Sequence, residues 1–283
     1  MENTIENKSD VVQDILQNGY KIIQGKKDFK FGIDAFLLAW FAHDGIRNGQ
    51  SVIDLCTGTG IVPLLLSSSS RAAHISGLEI QQKSAEMAKR SVELNGLSQK
   101  IEIIQGDVKN VSEIFKAHSV EAVTCNPPYM VYGHGKQNPA GEKAISRFEV
   151  LCALEDVVSA ADYLLKPSGV FYMVHRPFRL AEIFAALNRH KIEPKRMVLV
   201  CPHSGEEPNI VLVEARKNAN PRITVEKPLV VYTGAGDYTE EIKKIYSTFD
   251  SCVDSLLSSD AAALEMKPCN SCGKRISGRA NAF

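Results

Sequence analysis

The tetrapeptide Asn126-Pro127-Pro128-Tyr129 directly follows the apolar run Val120-Glu121-Ala122-Val123-Thr124-Cys125, so it reads as the exit from a strand. The side-chain oxygen of Asn126 and the carbonyl of Pro127 can each accept one N–H of a planar amino group, and Tyr129 offers a face for stacking. An exocyclic amine conjugated to an aromatic base or a carbonyl has a delocalised lone pair and is a poor nucleophile. Two acceptors that hold its protons aim the remaining lone pair at an electrophile, and no strong base is needed. Successive prolines fix φ and lack N–H donors, which holds the loop open and leaves carbonyls free to face a ligand. A plain Pro-Pro turn is the alternative, and the neighbouring strand ends bear on the choice.

Upstream, Val52-Ile53-Asp54-Leu55-Cys56-Thr57-Gly58-Thr59-Gly60 sets an acid near a strand end and glycines ahead of a helix. Gly58 and Gly60 permit a sharp turn that a ligand can approach closely. Pro63 stands where a dinucleotide fingerprint needs its third glycine, which disfavours a pyrophosphate and favours a smaller adenosine-containing ligand, S-adenosylmethionine. Glu79, followed by Ile80, ends the next strand and suits two ribose hydroxyls. Asp107, followed by Val108, ends the third and suits an adenine amine. Either acid alone would as readily cap a helix. Glycine turn, acid, acid and Asn126 nevertheless fall on consecutive strand ends, the edge at which open α/β sheets bind ligands.

The elements that must position these groups are read from the alternation of β-rich runs with helical stretches, the pattern of a parallel sheet covered on both faces. Strands are expected at 51–55, 74–79, 101–105, 120–125, 169–175, 197–201 and 210–215, and helices at 61–67, 81–95, 108–115, 148–165 and 179–189. Only Pro202 to Asn209 separates the last two strands, too few residues for a crossover helix, so they should form an antiparallel hairpin. Ahead of the sheet, Tyr20-Ile22 and Phe29-Phe31 flank Gly25-Lys26-Lys27-Asp28 as a second hairpin, and a helix comes next with Ile33, Phe36, Leu37 and Trp40 on one face. Asp34 and this hairpin either close one side of the ligand cleft or form a lid packed on the core. A short helix is expected to end at Phe249, and the Ser-rich stretch from Asp250 reads as a mobile tail. Its Cys269-Asn270-Ser271-Cys272 is half of a zinc knuckle without the partner ligands, so no metal is expected.

Lys plus Arg and Asp plus Glu both number 33, so net charge gives no general pull toward nucleic acid and any polyanion site must be local. Ten Lys or Arg against five acids lie between Lys166 and Arg222, densest from Arg189 and Lys191 to Lys195 and Arg196. Such a run is either a solvated helix end or a phosphate contact. Residues 1–10 lack a signal-peptide order and no run is long enough for a membrane span, which together with an odd seven cysteines points to the cytoplasm. Cys56, Cys125, Cys152 and Cys201 read as reduced and mostly buried.

With these residues in view, the chain resembles class I S-adenosylmethionine-dependent methyltransferases. More closely, it resembles the bacterial tRNA adenine-N6 methyltransferases that act beside the valine tRNA anticodon. Four segments carry the resemblance: Gln24-Gly25 through Phe29-Lys30-Phe31-Gly32-Ile33-Asp34-Ala35-Phe36-Leu37-Leu38-Ala39; Asp54 to Gly60; Asn126 to Tyr129; and His203-Ser204-Gly205-Glu206-Glu207-Pro208-Asn209. Arg147-Phe148-Glu149 is similar to an Arg-His-Glu segment of the family, with Phe148 in place of its histidine. The resemblance implies a Rossmann-like, seven-stranded, mostly parallel sheet ending in the antiparallel hairpin. It implies an N-terminal hairpin and helix at 1–48, a catalytic unit at 49–249 and a tail at 250–283 that the family does not explain. It also implies methyl transfer from S-adenosylmethionine to adenine N6 in tRNA. Asn126, Pro127 and Tyr129 would then grip the base beside Pro128. Asp34, Asp54, Cys56, Gly58, Gly60, Glu79, Ile80, Asp107, Val108 and Asn126 would surround the cofactor. Arg147, Arg176, Arg189, Lys191, Lys195 and Arg196 would meet tRNA phosphates. A glutamine side-chain amide in a protein would fit the same grip, and a non-catalytic cofactor- or RNA-binding module is the rival of another class.

Overall fold

The computed structural model describes residues 10–15, 19–25, 32–128, 152–234 and 236–249. Its centre is a sheet in which β3 (Ser51–Leu55), β4 (His74–Glu79), β5 (Ile101–Gln105), β6 (Val120–Cys125) and β7 (Leu165–His175) run parallel in the order β5-β4-β3-β6-β7. β9 (Ile210–Lys217) joins β7 antiparallel, and β8 (Ile192–Cys201) pairs with β9 in the hairpin expected from the short connection. Strands buried on both faces should carry near-continuous apolar runs, and β3 and β6 do. Successive residues serve opposite sides: Val52 packs with α1 (Ile33–His43), α2 (Ile61–Ser69) and α3 (Gln82–Leu94). Ile53 packs with α4 (Val111–Ile114), α5 (Leu154–Leu164) and α6 (Leu180–Arg189).

Several expectations shift. The described N-terminal hairpin pairs β1 (Asp10–Asp14) with β2 (Lys21–Gly25), whereas the expected turn at 26–28 and its Phe29-Phe31 arm lie outside the described residues. Phe36, Leu37 and Leu38 of α1 belong to the core they share with α2 and α3. The expected helix at 108–115 opens as a 3₁₀ turn, Val108–Asn110, because the Asp107 carboxylate caps Lys109 N–H at 2.9 Å. Helix 148–165 is described only as α5, and β7 starts at Leu165 with a register shift against β6 that absorbs Pro167 and Ser168. β8 likewise begins at Ile192, with a bulge between Pro194 and Arg196 that accommodates proline in a paired strand.

Two additions complete the sheet. β10 (Thr224–Val225) and β11 (Leu229–Val230) lie parallel to β8, making nine strands where seven were expected. A last helix, α7 (240–249), packs on α1, with ring centroids 4.6 Å apart for Phe36–Tyr246 and 5.8 Å for Phe36–Phe249. The residues from 250 on, with their CxxC, lie outside the described residues.

Candidate active site

Strand register brings the chemistry-bearing turns together. Leu55 is paired with Cys125 on one side and Leu78 on the other, so the chain leaves β3, β6 and β4 at adjacent points, with neighbouring strands about 4.8 Å apart. The turn that leaves β3 has an unusual backbone: Cys56, Gly58 and Gly60 have φ of 57°, 58° and 86°. Gly60 is the N-cap of α2, and a Cβ there would lie 3.1 Å from Ala88 Cβ on α3. Gly77 plays the supporting part: a Cβ would meet Thr57 Cγ2 at 2.9 Å, so its absence lets the turn settle on β4. A non-glycine residue in the left-handed region costs on the order of 1 kcal/mol, and at Cys56 the surrounding turn holds it.

Three carboxylates answer to this turn. Asp54, 1% exposed, accepts the Thr124 hydroxyl at 2.6 Å. Burial pushes its carboxyl up to about 7, against the lowering effect of that hydroxyl. The Thr57 hydroxyl is buried close enough to Asp54 to lower its pKa as well, without reaching full hydrogen-bond geometry. Glu79, 4% exposed, accepts N–H of Gly58 and of Gln81, each at 2.9 Å, and burial raises its pKa. It therefore clamps the glycine turn to the start of α3 while keeping lone pairs for a ligand. Asp107, half-exposed next to buried Val108, lies just past the strand paired with β4, and its cap on Lys109 occupies one oxygen. Ile80 is half-buried between Glu79 and Gln81. These groups form a row along β3, β4 and β5, which suits a nucleoside with hydroxyl and amine donors.

On the other side of β3, Asn126 is half-buried and Pro127 buried at the exit of β6, and Pro128 is half-buried. Tyr129 and Arg147 lie outside the described residues. Behind Asn126, Cys125 is buried, and Cys56 Sγ stands 3.7 Å from Cys152 Sγ. The contact with Cys125 pushes the Cys56 thiol up, and contact with Cys56 does the same for Cys152, so both are protonated packing groups. Beyond β6, a cavity of about 720 Å³ is lined by Arg176, Pro177, Phe178, Glu207, Pro208 and Asn209. It sits on the β7 and β9 side, away from the Gly58 turn, and thus flanks the amine grip rather than the nucleoside row.

The basic residues divide. Arg176 is at this edge, but its guanidinium lies 3.7 Å from Asp34 on α1 and donates to the Asn209 carbonyl at 2.9 Å, tying α1 to the loop before β9. The Arg189 to Arg196 cluster is not brought to the site. β8 runs parallel to β7, so its start lies at the opposite edge of the sheet from Asn126. There Arg189 pairs with Glu155, Lys195 donates to the Asn220 carbonyl and Lys191 is exposed with φ of 54°. Arg196 binds Glu214, Glu226 and the Phe41 carbonyl, with its guanidinium 4.0 Å from the Phe41 ring centroid. Nearness in sequence suggested a common surface; the strand direction separates it from the cleft.

Sequence reasoning passed over Thr57, Thr124, Phe178 and His175. Thr124 had a signal, being the strand residue that pairs with Asp54. Phe178 is 73% exposed at the end of β7, and only its apolar type in a polar turn hinted at that. His175 is 1% exposed, and burial pushes it down to about 4, so it is neutral beside the edge. Among the described residues no group of three or more His, Cys, Asp or Glu could hold a metal ion, and no helix is long and apolar enough to cross a membrane.

Comparison with known proteins gives this geometry a context. A tRNA1(Val) (adenine(37)-N6)-methyltransferase from Porphyromonas gingivalis is 25% identical over 226 residues, 78% of this chain and 88% of the relative. One of the same name from Flavobacterium psychrophilum is 27% identical, covering 78% and 92%. A solved structure from Agrobacterium tumefaciens, named as a predicted O-methyltransferase, is 24% identical with a TM-score of 0.62, covering 76% of this chain and 96% of that one. The Methyltransferase small domain family matches residues 33–190, from the start of α1 to the end of α6, and the chain belongs to that family.

Proposed function

We propose that this protein transfers a methyl group from S-adenosylmethionine to the exocyclic N6 of an adenine in tRNA, beside the anticodon of a valine tRNA. The observation that carries the reading is the pairing of Leu55 with Cys125, which makes the glycine turn and the Asn126-Pro127 grip immediate neighbours. The orphaned Thr57 hydroxyl, the bent glycine turn and the row of carboxylates support a nucleoside cofactor on the β3 to β5 side. The target then enters from the β6 to β9 side. The relatives named as adenine-N6 methyltransferases support adenine over a glutamine amide.

The cofactor supplies an electrophilic methyl on a sulfonium. Asn126 Oδ1 and the Pro127 carbonyl would accept the two amine protons and so orient the nitrogen lone pair toward the cofactor side of the cleft. With the sulfonium departing as a neutral thioether, the positive charge passed to nitrogen would be stabilised by the same two oxygens until one proton is lost to water. No residue has to act as a strong base. Pro127 is buried and comes soon after Cys125, whose thiol contacts Cys56, and this supports a grip oriented before substrate arrives. The target base leaves its stack to reach this position, and exposed Phe178 beside the 720 Å³ cavity offers a neighbouring base a face to stack on.

Incubating the protein with labelled cofactor and total tRNA, then analysing nucleosides by mass spectrometry, tests the reading. N6-methyladenosine appears if it is right. Label found only in protein, with unmodified tRNA present as acceptor, replaces it with glutamine methylation.

A further inference from the structure

Among the described residues, the buried side-chain nitrogen and oxygen atoms that lack a hydrogen-bond partner are the amide Nε2 and Oε1 of Gln24 and the hydroxyl of Thr57. Gln24 is 3% exposed. An unsatisfied buried amide is costly, and it persists in a fold where something outside the chain completes it. Thr57 belongs to the cofactor turn, and chain direction brings Gln24 to the same end of the molecule. β2 runs antiparallel along α3: Lys21 N–H donates to Asn95 Oδ1, and two residues on, Ile23 N–H donates to Ser91 Oγ, each bond nearer the start of α3. That start is where Glu79 holds Gln81 N–H, at the edge occupied by Gly58. Alternation along a strand gives Gln24 the face of Ile22, which packs into the core shared by α1, α2 and α3. Gln24 thus lies on the face of β2 that is turned toward the core shared by α1, α2 and α3.

We propose that Gln24 is a cofactor-binding residue that receives the amino-acid end of S-adenosylmethionine, a role that rests on the methyltransferase reading above. A primary amide offers one donating and one accepting group side by side, which matches a carboxylate and an ammonium held on one carbon. The nucleoside end already has Glu79 and Asp107 in a row along β4 and β5, which leaves the amino-acid end for the opposite side of the Gly58 to Gly60 turn, the side that Gln24 faces. Hydrogen bonds to charged groups are the stronger kind, so the pairing has consequence for affinity.

Replacing the amide by an alkyl group of similar size separates the binding role from a packing role, because it removes an unsatisfied polar group from the free protein. Gln24→Leu should therefore raise the thermal midpoint of the ligand-free protein, and Gln24→Met should do the same. In calorimetric titration, either variant should bind S-adenosylhomocysteine at least about ten-fold more weakly than wild type. Both should bind 5′-methylthioadenosine, which lacks the amino-acid end, as wild type does. Equal affinity of wild type and variants for S-adenosylhomocysteine overturns the assignment, as does an equal loss for both ligands or a lowered midpoint in both variants. Wild type that binds neither ligand overturns the methyltransferase reading itself.

Discussion

The two edges of one sheet handle polar groups in opposite ways. At the edge where the parallel strands begin, charge is matched pair by pair: Lys166 with Glu121, Lys217 with Asp162 at 2.8 Å, and Arg189 and His190 with Glu155. At the edge where they end, the backbone adopts left-handed conformations at three residues of one turn and, among the described residues, a carboxyl is buried without a cation and an amide and a hydroxyl are left unpaired. The first edge is organised for stability and the second holds capacity for a ligand.

Substitutions at the two edges sharpen this contrast. The largest effect is expected for Asn126→Ala, which should cut turnover by about 100-fold or more while cofactor affinity by titration stays at the wild-type value. Turnover that survives the change removes Asn126 from the grip. In the middle of β8, Arg196→Ala leaves Glu214 and the Phe41 carbonyl without their donor and should cost about 2 kcal/mol in urea unfolding, with activity per folded molecule retained. A variant as stable as wild type would show that the network contributes nothing.

Asp54 brings a pH signature to the ligand edge. Its folded pKa is raised from 3.8 to about 7, so the folded chain binds more protons than the unfolded one between those values. Its contribution to stability is complete below about pH 4 and is lost as pH rises through about 7, at up to about 1.4 kcal/mol per pH unit. His175, lowered from 6.5 to about 4, slopes the other way and gains as pH rises through that range. Because the two slopes oppose each other between about pH 4 and 6.5, Asp54→Asn should uncover the rising limb of His175 in denaturation of the ligand-free protein over that range, and an unaltered profile would place the titration elsewhere. Phe178→Ala is expected to raise KM for tRNA a few-fold at constant kcat. The smallest effect belongs to Arg189→Ala, whose exposed pair with Glu155 should be silent in thermal unfolding and in tRNA binding. A clear loss of tRNA affinity would bring the paired edge into the binding surface after all.

Much of the ligand edge is legible in the order of residues alone, because a parallel sheet places every strand-to-helix turn on one side. Glu79, Asp107 and Asn126 align from strand order without any knowledge of packing. The charge cluster misleads for a related reason: Arg189 to Arg196 lies where β8 begins, and sequence distance carries no information about which edge a strand starts from. The pairing of β1 with β2 is not expected from the sequence because Asp10–Asp14 has only Val11 and Val12 as apolar residues, both exposed, so no alternation announces a strand. Gln24 stands inside a recognised segment, yet its importance lies in partners it lacks, which only packing reveals.

β10 and β11 have a consequence out of proportion to their two residues each. A strand such as β8, ten residues long and carrying Val198, Leu199 and Val200 in succession, would otherwise offer a row of bare amides to any other polypeptide. The stretch from Thr224 to Val230 works as a selvage, occupying that row and denying other chains a template for fibrous polymerisation.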